Sequence, residues 1–427
     1  MTYFGKCTWN RQRSFLHTFG EFRFDVISGE LWRRSERVKL QPVLARLLTQ
    51  FVSRPNEFIE RAELVSQVWP AGVFVDSENS LNNAVARLRR VIGAHWIEVL
   101  PKRGYRFRQR VRSARRRVDP VVERACTLGL HFWNRTTAAS LDRAVASFND
   151  AIARDPGHAE GWAGLAETYL LLGDDVVSGM PPQTALDRAR SAAGRALDRS
   201  PDCARALAVH GMVLWRSGWD WKEAERHLRA AIAMDRSAST PHVYYAWLLR
   251  ATGRANHAEA EIARALELSP VSSFVSANAG LMLYFGRRYS DAIAHLHQTL
   301  TLDEHYPLAY LALGLAFSAV RESEKAVQSL QGAVRLAGNR VEYYGSMLGY
   351  ALAAGNHNTP EEFVNGRAFD RALVHLGRGE IGPSVDCLEV AFAEPSSHFA
   401  YLGVDPLFDR LRREKRFRNL TKSIGIP

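Results

Sequence analysis

The sequence predicts a mainly α-helical protein, in which an N-terminal α+β unit is followed by a solenoid of α-helices. Two observations lead to this prediction. Apolar residues alternate with polar ones before Leu40 and recur at helical spacing after it. A period of about 34 residues, which is typical of one class of helical repeat, runs through the C-terminal part. The length of 427 residues also exceeds the roughly 250 to 300 residues at which one hydrophobic core usually stops growing, so at least two units are expected.

Charge is divided unevenly along the chain. Residues 1–118 hold 23 Lys and Arg against 10 Asp and Glu, whereas residues 119–427 hold 33 against 35. The formal net charge of +11 therefore originates in the first quarter of the chain. A basic module joined to a neutral one is typical of nucleic-acid-binding proteins. Charge alone leaves open a basic surface that only keeps the chain soluble.

Several other classes of protein find no support in the sequence. The four cysteines lie far apart without a CxxC pair, which disfavours a zinc site and a disulfide framework. The longest apolar run, Leu308–Val320, is shorter than the roughly 20 residues that span a bilayer. We therefore expect a cytoplasmic protein without a membrane segment. Phosphate-loop, GxSxG and HExxH motifs are absent, so we expect no enzyme, cofactor or metal, with an active site assembled from distant residues as the alternative.

The first unit begins with strand patterns and continues with helical ones. Residues 19–25 and 30–40 alternate apolar and polar side chains, which predicts two short antiparallel strands. Pro42 suits the first position of a helix that ends before residues 54–56. A second helix is predicted from Arg61 to Trp69, and packing in the core is the favoured role of that tryptophan.

A third helix is predicted between a cap at Asp76 or Ser77 and Gly93. Its core face is expected to hold Leu81, Val85, Leu88 and Ile92. Its outward face is expected to hold Asn79, Asn83, Ala86, Arg87 and Arg90. Asn can bridge the edge of adenine, Arg the edge of guanine, and Ala leaves room in a major groove. Considered by itself, the same pattern also fits a solvated helix face.

The segment 97–111 predicts a β-hairpin whose tip carries Lys102, Arg103 and Gly104. A hairpin after three helices forms the wing of a winged helix. A cationic tip there can enter or lie beside a minor groove, whose negative potential attracts arginine.

Four motifs then indicate a family. LQP (40–42), LVSQVWP (64–70), SLNNAVARLRRVIG (80–93) and VLPKRGYRF (99–107) together resemble the OmpR/PhoB-type winged-helix DNA-binding domain, in the order that this family uses. The resemblance implies a winged-helix domain over residues 19–111, after a tail at 1–18.

The resemblance implies that the third helix reads the major groove of double-stranded DNA and that the wing approaches the minor groove. The positions that match the family are Asn82, Asn83, Ala86, Arg87, Arg90 and Arg103. With the outward face and the hairpin tip included, the candidate DNA-binding residues are Asn79, Asn82, Asn83, Ala86, Arg87, Arg90, Lys102 and Arg103.

The sequence departs from the family in two places. Only Ala94–Trp96 connects the third helix to the wing, which is shorter than usual. Only the short segment Met1–Thr18 precedes Phe19, so a receiver domain and control by aspartate phosphorylation are not expected. After the wing, residues 112–120 read as a basic linker that either adds phosphate contacts or only separates the domains.

From residue 121 onward the sequence repeats. Equivalent apolar steps precede a turn at Asp155, Ser200, Asp235, Ser269, Asp303 and Ala337. After a longer first interval, which a loop at 174–182 explains, these turns follow one another at about 34 residues, the period of tetratricopeptide repeats. Small residues recur in phase, as at Gly280 and Gly314, and are predicted to permit close helix packing. Alanines recur in phase at Ala144, Ala189, Ala224, Ala258, Ala292 and Ala326.

The predicted architecture is therefore a winged helix followed by a tetratricopeptide solenoid at 121–404, with a capping helix at 405–427. It resembles CadC/HilA-like regulators, although no membrane-spanning helix separates its two parts. Within the array, residues 369–392 read as one more degenerate helix pair.

Two functions follow as hypotheses. In the first, the chain is a transcription regulator that binds a promoter as a dimer or in tandem copies, and the concave face of the repeats receives a protein, peptide or small-molecule signal. In the second, it is an adaptor whose winged helix binds protein, for example RNA polymerase. Aromatic side chains that fit either a groove lining or helix packing are Trp162, Tyr169, Tyr244, Tyr245, Tyr284 and Tyr310.

Overall fold

The chain folds into two compact units, Met1–Asp119 and Pro120–Pro427. We describe a computed structural model, which covers residues 15–26, 28–34, 36–69, 77–101, 103–108, 112–115, 119–177, 179–218, 220–337, 342–392 and 397–423. The first unit mixes sheets and helices and the second is helical in its described residues, which confirms the predicted fold class.

The described part of the N-terminal unit contains two antiparallel sheets and three α-helices. Its strands are β1 (Phe15–Phe19), β2 (Phe22–Asp25), β3 (Glu30–Arg33), β4 (Glu36–Val38), β5 (Phe58–Glu60), β6 (Ile97–Leu100), β7 (Gly104–Phe107) and β8 (Arg112–Arg115). Its helices are α1 (Pro42–Ser53), α2 (Arg61–Val68) and α3 (Ser77–Ile92). The first sheet has the order β4-β3-β2-β1-β8 and the second has the order β5-β7-β6.

Two predicted boundaries in this unit differ from the structure. The tail predicted at 1–18 and the linker predicted at 112–120 both contain strand residues, because β1 and β8 pair with each other, with Leu16 opposite Ala114. Residues 112–115 carry no alternation of apolar and polar side chains, so no local signal predicts this strand. The single strand predicted at 19–25 is also divided, since Gly20 adopts a φ of +54° between β1 and β2.

The two sheets and three helices of this unit share one core. The ring of Phe107 lies 5.2 Å from that of Phe19 and 6.2 Å from that of Phe51, which joins the two sheets and α1. The tryptophan predicted as a core residue, Trp69, packs against the edge of the same cluster. Aromatic packing of this kind fixes the position of the wing strand β7 relative to the first sheet and α1.

The second unit is a series of antiparallel helix pairs. Its helices are α4 (Pro120–Trp133), α5 (Ala138–Arg154), α6 (Ala159–Leu172), α7 (Pro182–Arg199), α8 (Ala204–Gly218), α9 (Trp221–Met234), α10 (Ser239–Ala251), α11 (Ala255–Leu268), α12 (Ser273–Phe285), α13 (Tyr289–Leu302), α14 (Pro307–Ala319), α15 (Ser323–Ala337), α16 (Glu342–Ala354), α17 (Glu361–Val364), α18 (Ala368–Gly377), α19 (Ile381–Ala391) and α20 (Lys415–Ser423). The loop predicted by the long first interval separates α6 from α7.

The close packing predicted from the small residues is confirmed. A Cβ atom added at Gly280 would overlap the side chain of Leu296, and one added at Gly314 would overlap that of Leu330. The period also governs the backbone, since residues 253, 287 and 321 all have positive φ values, of 75°, 61° and 64°. The degenerate pair predicted at 369–392 corresponds to α18 and α19.

The C-terminal end departs from its prediction. Instead of one capping helix at 405–427, the structure shows two short 3-10 helices, Ser397–Tyr401 and Pro406–Leu411, and then α20. We call residues 397–411 the C-terminal segment. Phe399, Leu402 and Leu411 of this segment are buried, so it is packed into the repeats and does not project from them as a separate cap.

The C-terminal segment contacts the first helices of several repeats. The Tyr401 ring lies 5.0 Å from Trp247 and 5.8 Å from both Trp215 and Phe285. The Tyr284 hydroxyl donates a hydrogen bond of 3.1 Å to Asp405. Residues of α8, α10 and α12 are therefore covered in part by the chain itself.

Among the described residues, none forms a helix that is both long and apolar enough to span a bilayer.

Candidate nucleic-acid interface

Helix α3 has one apolar face and one polar face. Leu81, Val85, Leu88 and Ile92 are buried in the core of the N-terminal unit, together with Ala84. The predicted core face is therefore confirmed. Gly93 ends the helix with a φ of +105°, and the Arg89 guanidinium donates a 3.2 Å hydrogen bond to the carbonyl of Ala94. Asp76, one of the two predicted caps, lies outside the described residues.

The predicted outward residues are all on the solvent side of α3. The exposed residues are Asn79, Asn82, Asn83, Ala86, Arg87 and Arg90. Residues 83, 86, 87 and 90 recur at intervals of three and four, so they form one stripe along the helix. This stripe presents one amide, one methyl group and two guanidinium groups.

The wing is the hairpin of β6 and β7. Val99 pairs with Tyr105 and Leu100 with Gly104, so the chain reverses between Leu100 and Gly104. Arg103 is exposed at this turn, with its guanidinium carbon 5.7 Å from the centre of the Phe58 ring. Lys102, the other predicted cation of the tip, lies outside the described residues.

A polar cluster links α2, α3 and the wing. The Arg61 guanidinium donates hydrogen bonds to the Asn82 side-chain carbonyl at 2.8 Å and to the Tyr105 hydroxyl at 3.1 Å. The Tyr105 hydroxyl in turn donates to the same Asn82 oxygen at 2.8 Å. The backbone N–H of Arg61 also donates to the carbonyl of Arg103 at 3.4 Å. These contacts hold the wing and the middle of α3 in a fixed relation.

The hydrogen bonds that the Asn82 oxygen accepts limit how this side chain can contact a DNA base. Bidentate recognition of adenine needs the side-chain oxygen of an asparagine as an acceptor. In Asn82 that oxygen already accepts two hydrogen bonds, which uses both of its lone pairs. Arg61 and Tyr105 were not predicted as site residues, because their partners lie on other elements. The only sequence signal was the place of Tyr105 within the wing motif RGYRF.

The charge of this surface is mostly positive. Glu98 on β6 is near two cations, with its carboxylate 3.9 Å from Arg106 and 3.5 Å from Arg108. Since this acid is already balanced, it does not offset Arg87, Arg90 or Arg103. The described residues of α3 and the wing therefore present a cationic surface.

Gly104 of the wing has no room for a side chain. A Cβ atom there would overlap the carbonyl oxygen of Ile59 on β5 and lie 3.0 Å from its carbonyl carbon. We expect Gly104→Ala to separate β7 from β5 and to lower the free energy of unfolding of this unit by about 1 to 3 kcal/mol. Hydrogen exchange of the amides of β5 and β7 measures the effect.

The matched control is Gly194→Ala, because a Cβ atom added at Gly194 in α7 has no neighbour within 4 Å. Alanine in a helix interior is favoured over glycine by about 1 kcal/mol, so this variant should be slightly stabilised. Unchanged exchange in β5 and β7 of Gly104→Ala would contradict the expected clash.

Asn82 and Asn83 are neighbours with different expected roles in folding. Because Asn82→Ala removes the acceptor of Arg61 and Tyr105, we expect it to lower the free energy of unfolding of the N-terminal unit by about 1 kcal/mol. Asn83→Ala should change it by less than about 0.5 kcal/mol, as is usual for surface residues. Chemical denaturation of the two variants makes the comparison, and equal stabilities would show that the cluster contributes nothing.

Two family models match the chain. The model described as "Transcriptional regulatory protein, C terminal" matches residues 35–107, and the model described as "Tetratricopeptide repeat" matches residues 137–176. The first match ends with β7, and it includes α1, α2 and α3. The second includes α5 and α6.

Curated relatives resemble the same N-terminal region. The cholera toxin transcriptional activator of Vibrio cholerae is 31% identical over 101 residues, which are 22% of this chain and 34% of that protein. The transcriptional regulatory protein CseB of Streptomyces avermitilis is 34% identical over 91 residues, 21% of this chain and 38% of that protein. The phosphate regulon transcriptional regulatory protein PhoB of Rhizobium meliloti is 33% identical over 73 residues, 17% of this chain and 32% of that protein. The chain thus spans about a third of the length of these relatives.

Solved structures resemble the chain more distantly. Yeast Tom70 is 14% identical with a TM-score of 0.41, covering 72% of this chain and 68% of that one. The tetratricopeptide protein YrrB is 19% identical with a TM-score of 0.29, covering 46% of this chain and 96% of that one.

The sequence motifs, the described fold and both family models indicate the same type of domain for each of the two units. The chain contains an OmpR/PhoB-type domain of transcriptional regulatory proteins in its N-terminal unit and tetratricopeptide repeats in its C-terminal unit.

Proposed function

We propose that this protein is a transcription regulator whose N-terminal unit binds duplex DNA in a sequence-specific manner. In this proposal α3 lies in the major groove and the tip of the wing lies near the adjacent minor groove. The observation that carries the proposal is the exposed stripe of Asn83, Ala86, Arg87 and Arg90 on a helix whose other face is buried.

The chemistry of the stripe suits base recognition. The Arg87 and Arg90 guanidinium groups can each donate two hydrogen bonds to guanine O6 and N7, and Asn83 can bridge N6 and N7 of adenine. Ala86 lies between them and leaves room for a thymine methyl group. Asn79 is one turn closer to the start of α3, where backbone amides and side chains commonly contact phosphate.

The wing and the polar cluster have supporting roles. Arg103 and Lys102 supply the positive charge that a narrow minor groove attracts. We assign Asn82 a positioning role, because its oxygen is bonded to Arg61 and Tyr105. The cluster thereby sets the distance between the helix and the hairpin tip before DNA is bound, which lowers the ordering cost of binding.

The tetratricopeptide unit is proposed to receive the signal that controls the regulator. Such repeats form concave surfaces that bind peptides or partner helices. Because the C-terminal segment covers part of the first helices of the repeats, a peptide would have to displace it or use another face. A homodimer on DNA and a contact with RNA polymerase stay predictions.

Genome-wide footprinting of the full chain, followed by a salt titration on a protected fragment, tests DNA binding. If four phosphates are neutralised, log K falls with log salt with a slope of about −3.6, so affinity falls about 100-fold between roughly 50 and 200 mM salt. A scrambled duplex of the same length should bind more weakly at every salt concentration. No binding to any duplex at low salt would refute the proposal and favour an adaptor that binds protein through the winged helix.

A further inference from the structure

The repeat unit contains a partly open cavity that the proposed DNA contacts do not involve. Its volume is about 120 Å³. The first helices of successive repeats line it, from α6 to α16, and Tyr401 and Asp405 of the C-terminal segment line it as well. Residues at one repeat position form a ladder along the wall, at Met212, Trp247, Leu281 and Leu315.

The wall is mainly apolar and aromatic. Its aromatic residues include Tyr244, Trp247, Phe274, Phe285, Tyr343 and Tyr401. An apolar cavity of about 150 Å³ in another protein is known to stay dry and to bind benzene. The cavity here is of comparable size, so it matches a molecule of about one six-membered ring with a small substituent.

One polar group in the wall has no partner. The Tyr244 hydroxyl makes no hydrogen bond to any described residue, although Tyr244 is only 4% exposed. Burial raises the pKa of Tyr244 well above its usual value, so this hydroxyl stays protonated at neutral pH and can donate a hydrogen bond. A buried hydroxyl without a partner has lost its hydration without gaining a hydrogen bond, and the acceptor of a ligand would offset this loss.

The amide and charged groups of the wall are already engaged. The Asn278 oxygen accepts a hydrogen bond of 2.7 Å from the Trp247 indole, and its amide donates one of 2.7 Å to the carbonyl of Phe274. The Arg216 guanidinium is paired with the Asp174 carboxylate. Asp405 accepts hydrogen bonds of 3.1 Å from the Tyr284 hydroxyl and 2.9 Å from the backbone N–H of residue 407.

We propose that this cavity binds a small, uncharged and largely aromatic molecule, whose hydrogen-bond acceptor is held by the Tyr244 hydroxyl. The ring of the ligand packs among the aromatic side chains, and the C-terminal segment closes one side of the site. An ionised ligand is disfavoured, because the charged groups of the wall already have partners and an added charge would lose its hydration without gaining one. Ligand binding here does not depend on DNA binding.

The test uses the full chain and four probes of nearly equal size: benzyl alcohol, toluene, benzoate and benzylammonium. Isothermal titration calorimetry with folded protein should show saturable binding of benzyl alcohol and toluene, with a Kd on the order of 1 mM or lower. Benzoate and benzylammonium should bind at least about tenfold more weakly, the penalty for a buried charge without a partner.

Two substitutions locate the site. Tyr244→Phe keeps the shape of the wall and should weaken benzyl alcohol about 3- to 10-fold without weakening toluene, because only the hydrogen bond is lost. Tyr245→Phe is the matched control, since the Tyr245 hydroxyl donates to Glu225 at 2.7 Å and does not line the cavity. Leu311→Phe adds bulk to the wall and should weaken both neutral probes.

Three results would overturn the proposal. The first is the absence of saturable binding of either neutral probe to the folded chain. The second is binding that neither Tyr244→Phe nor Leu311→Phe changes, since the ligand would then lie elsewhere. The third is tighter binding of benzoate or benzylammonium than of benzyl alcohol, which would assign the cavity to a charged ligand.

Discussion

Replacing both Arg87 and Arg90 with alanine is expected to weaken binding to the specific DNA site by about 30-fold or more. An arginine that contacts a base contributes about 1 to 3 kcal/mol, and both side chains lie on the exposed stripe of α3. Neither arginine lies on the buried face of this helix, so the N-terminal unit of the double variant should remain folded. Fluorescence anisotropy with the footprinted fragment and with a scrambled duplex measures the loss of affinity and of specificity.

Two control proteins separate base contacts from charge. Arg87→Lys keeps the charge but loses the planar bidentate donor, so it should lose specificity while the dependence on salt stays nearly the same. A double variant of Arg264→Ala and Arg335→Ala removes equal charge from exposed helices of the repeat unit and should bind as the unaltered chain does. If the variant of Arg87 and Arg90 kept full affinity and specificity, α3 would not be the recognition helix.

Arg205→Met is expected to destabilise the repeat unit by about 3 to 5 kcal/mol, the usual effect of removing one partner of a buried ion pair. Arg205 on α8 contacts two carboxylates of α6, with Nε 3.1 Å from Glu167 and Nη1 3.3 Å from Glu160. Glu167 is only 1% exposed. Burial alone would lower the pKa of Arg205, but the two carboxylates raise it, so the arginine stays charged. Without it, the carboxylates of Glu160 and Glu167 would face each other with no cation between them.

The loss should depend on pH. Burial raises the pKa of Glu160 even when Arg205 is present, and removal of the cation should raise it further. A carboxyl group whose pKa is higher in the folded state takes up a proton on folding, so its contribution falls as the pH rises above the unfolded pKa. Urea unfolding of Arg205→Met should therefore show a higher stability at pH 5 than at pH 7.

The control for this substitution is Arg226→Met on α9. Arg226 forms an ion pair with Glu223 three residues earlier, but both side chains are exposed, at 64% and 40%. Exposed pairs contribute little because water screens them. A similar loss of stability in both variants would mean that burial of the Arg205 cluster is not the cause.

Local patterns predicted most elements of the N-terminal unit, and contacts between distant elements account for those missed. The spacing of Leu81, Val85 and Leu88 was sufficient to orient α3, since a helix that buries one face has only one way to lie on a core. The strand β8 could not be predicted, because its pairing with β1 brings together segments from opposite ends of the unit. The polar cluster was missed for the same reason, as Arg61, Asn82 and Tyr105 belong to three separate elements.

In the repeat unit, the period of about 34 residues predicted more of the structure than the amino-acid composition did. The regular interval between turns fixes the helix pairs and the sites where Gly280 and Gly314 must be small. The C-terminal segment lies outside this period, and the amphipathic sequence from residue 405 onward favoured one continuous helix. Its contacts with Trp215, Trp247 and Phe285 depend on the curvature of the whole array. No local sequence pattern predicts this curvature.

The pairing of β1 with β8 also affects how the N-terminal unit responds to tension. Phe15, at the beginning of β1, lies opposite Arg115, at the end of β8, so the polypeptide enters and leaves this sheet at the same corner. A force applied across these two ends would break the hydrogen bonds between β1 and β8 one after another, beginning at Phe15 and Arg115. The edge strand would therefore peel away at low force while the aromatic centre of the unit remained closed.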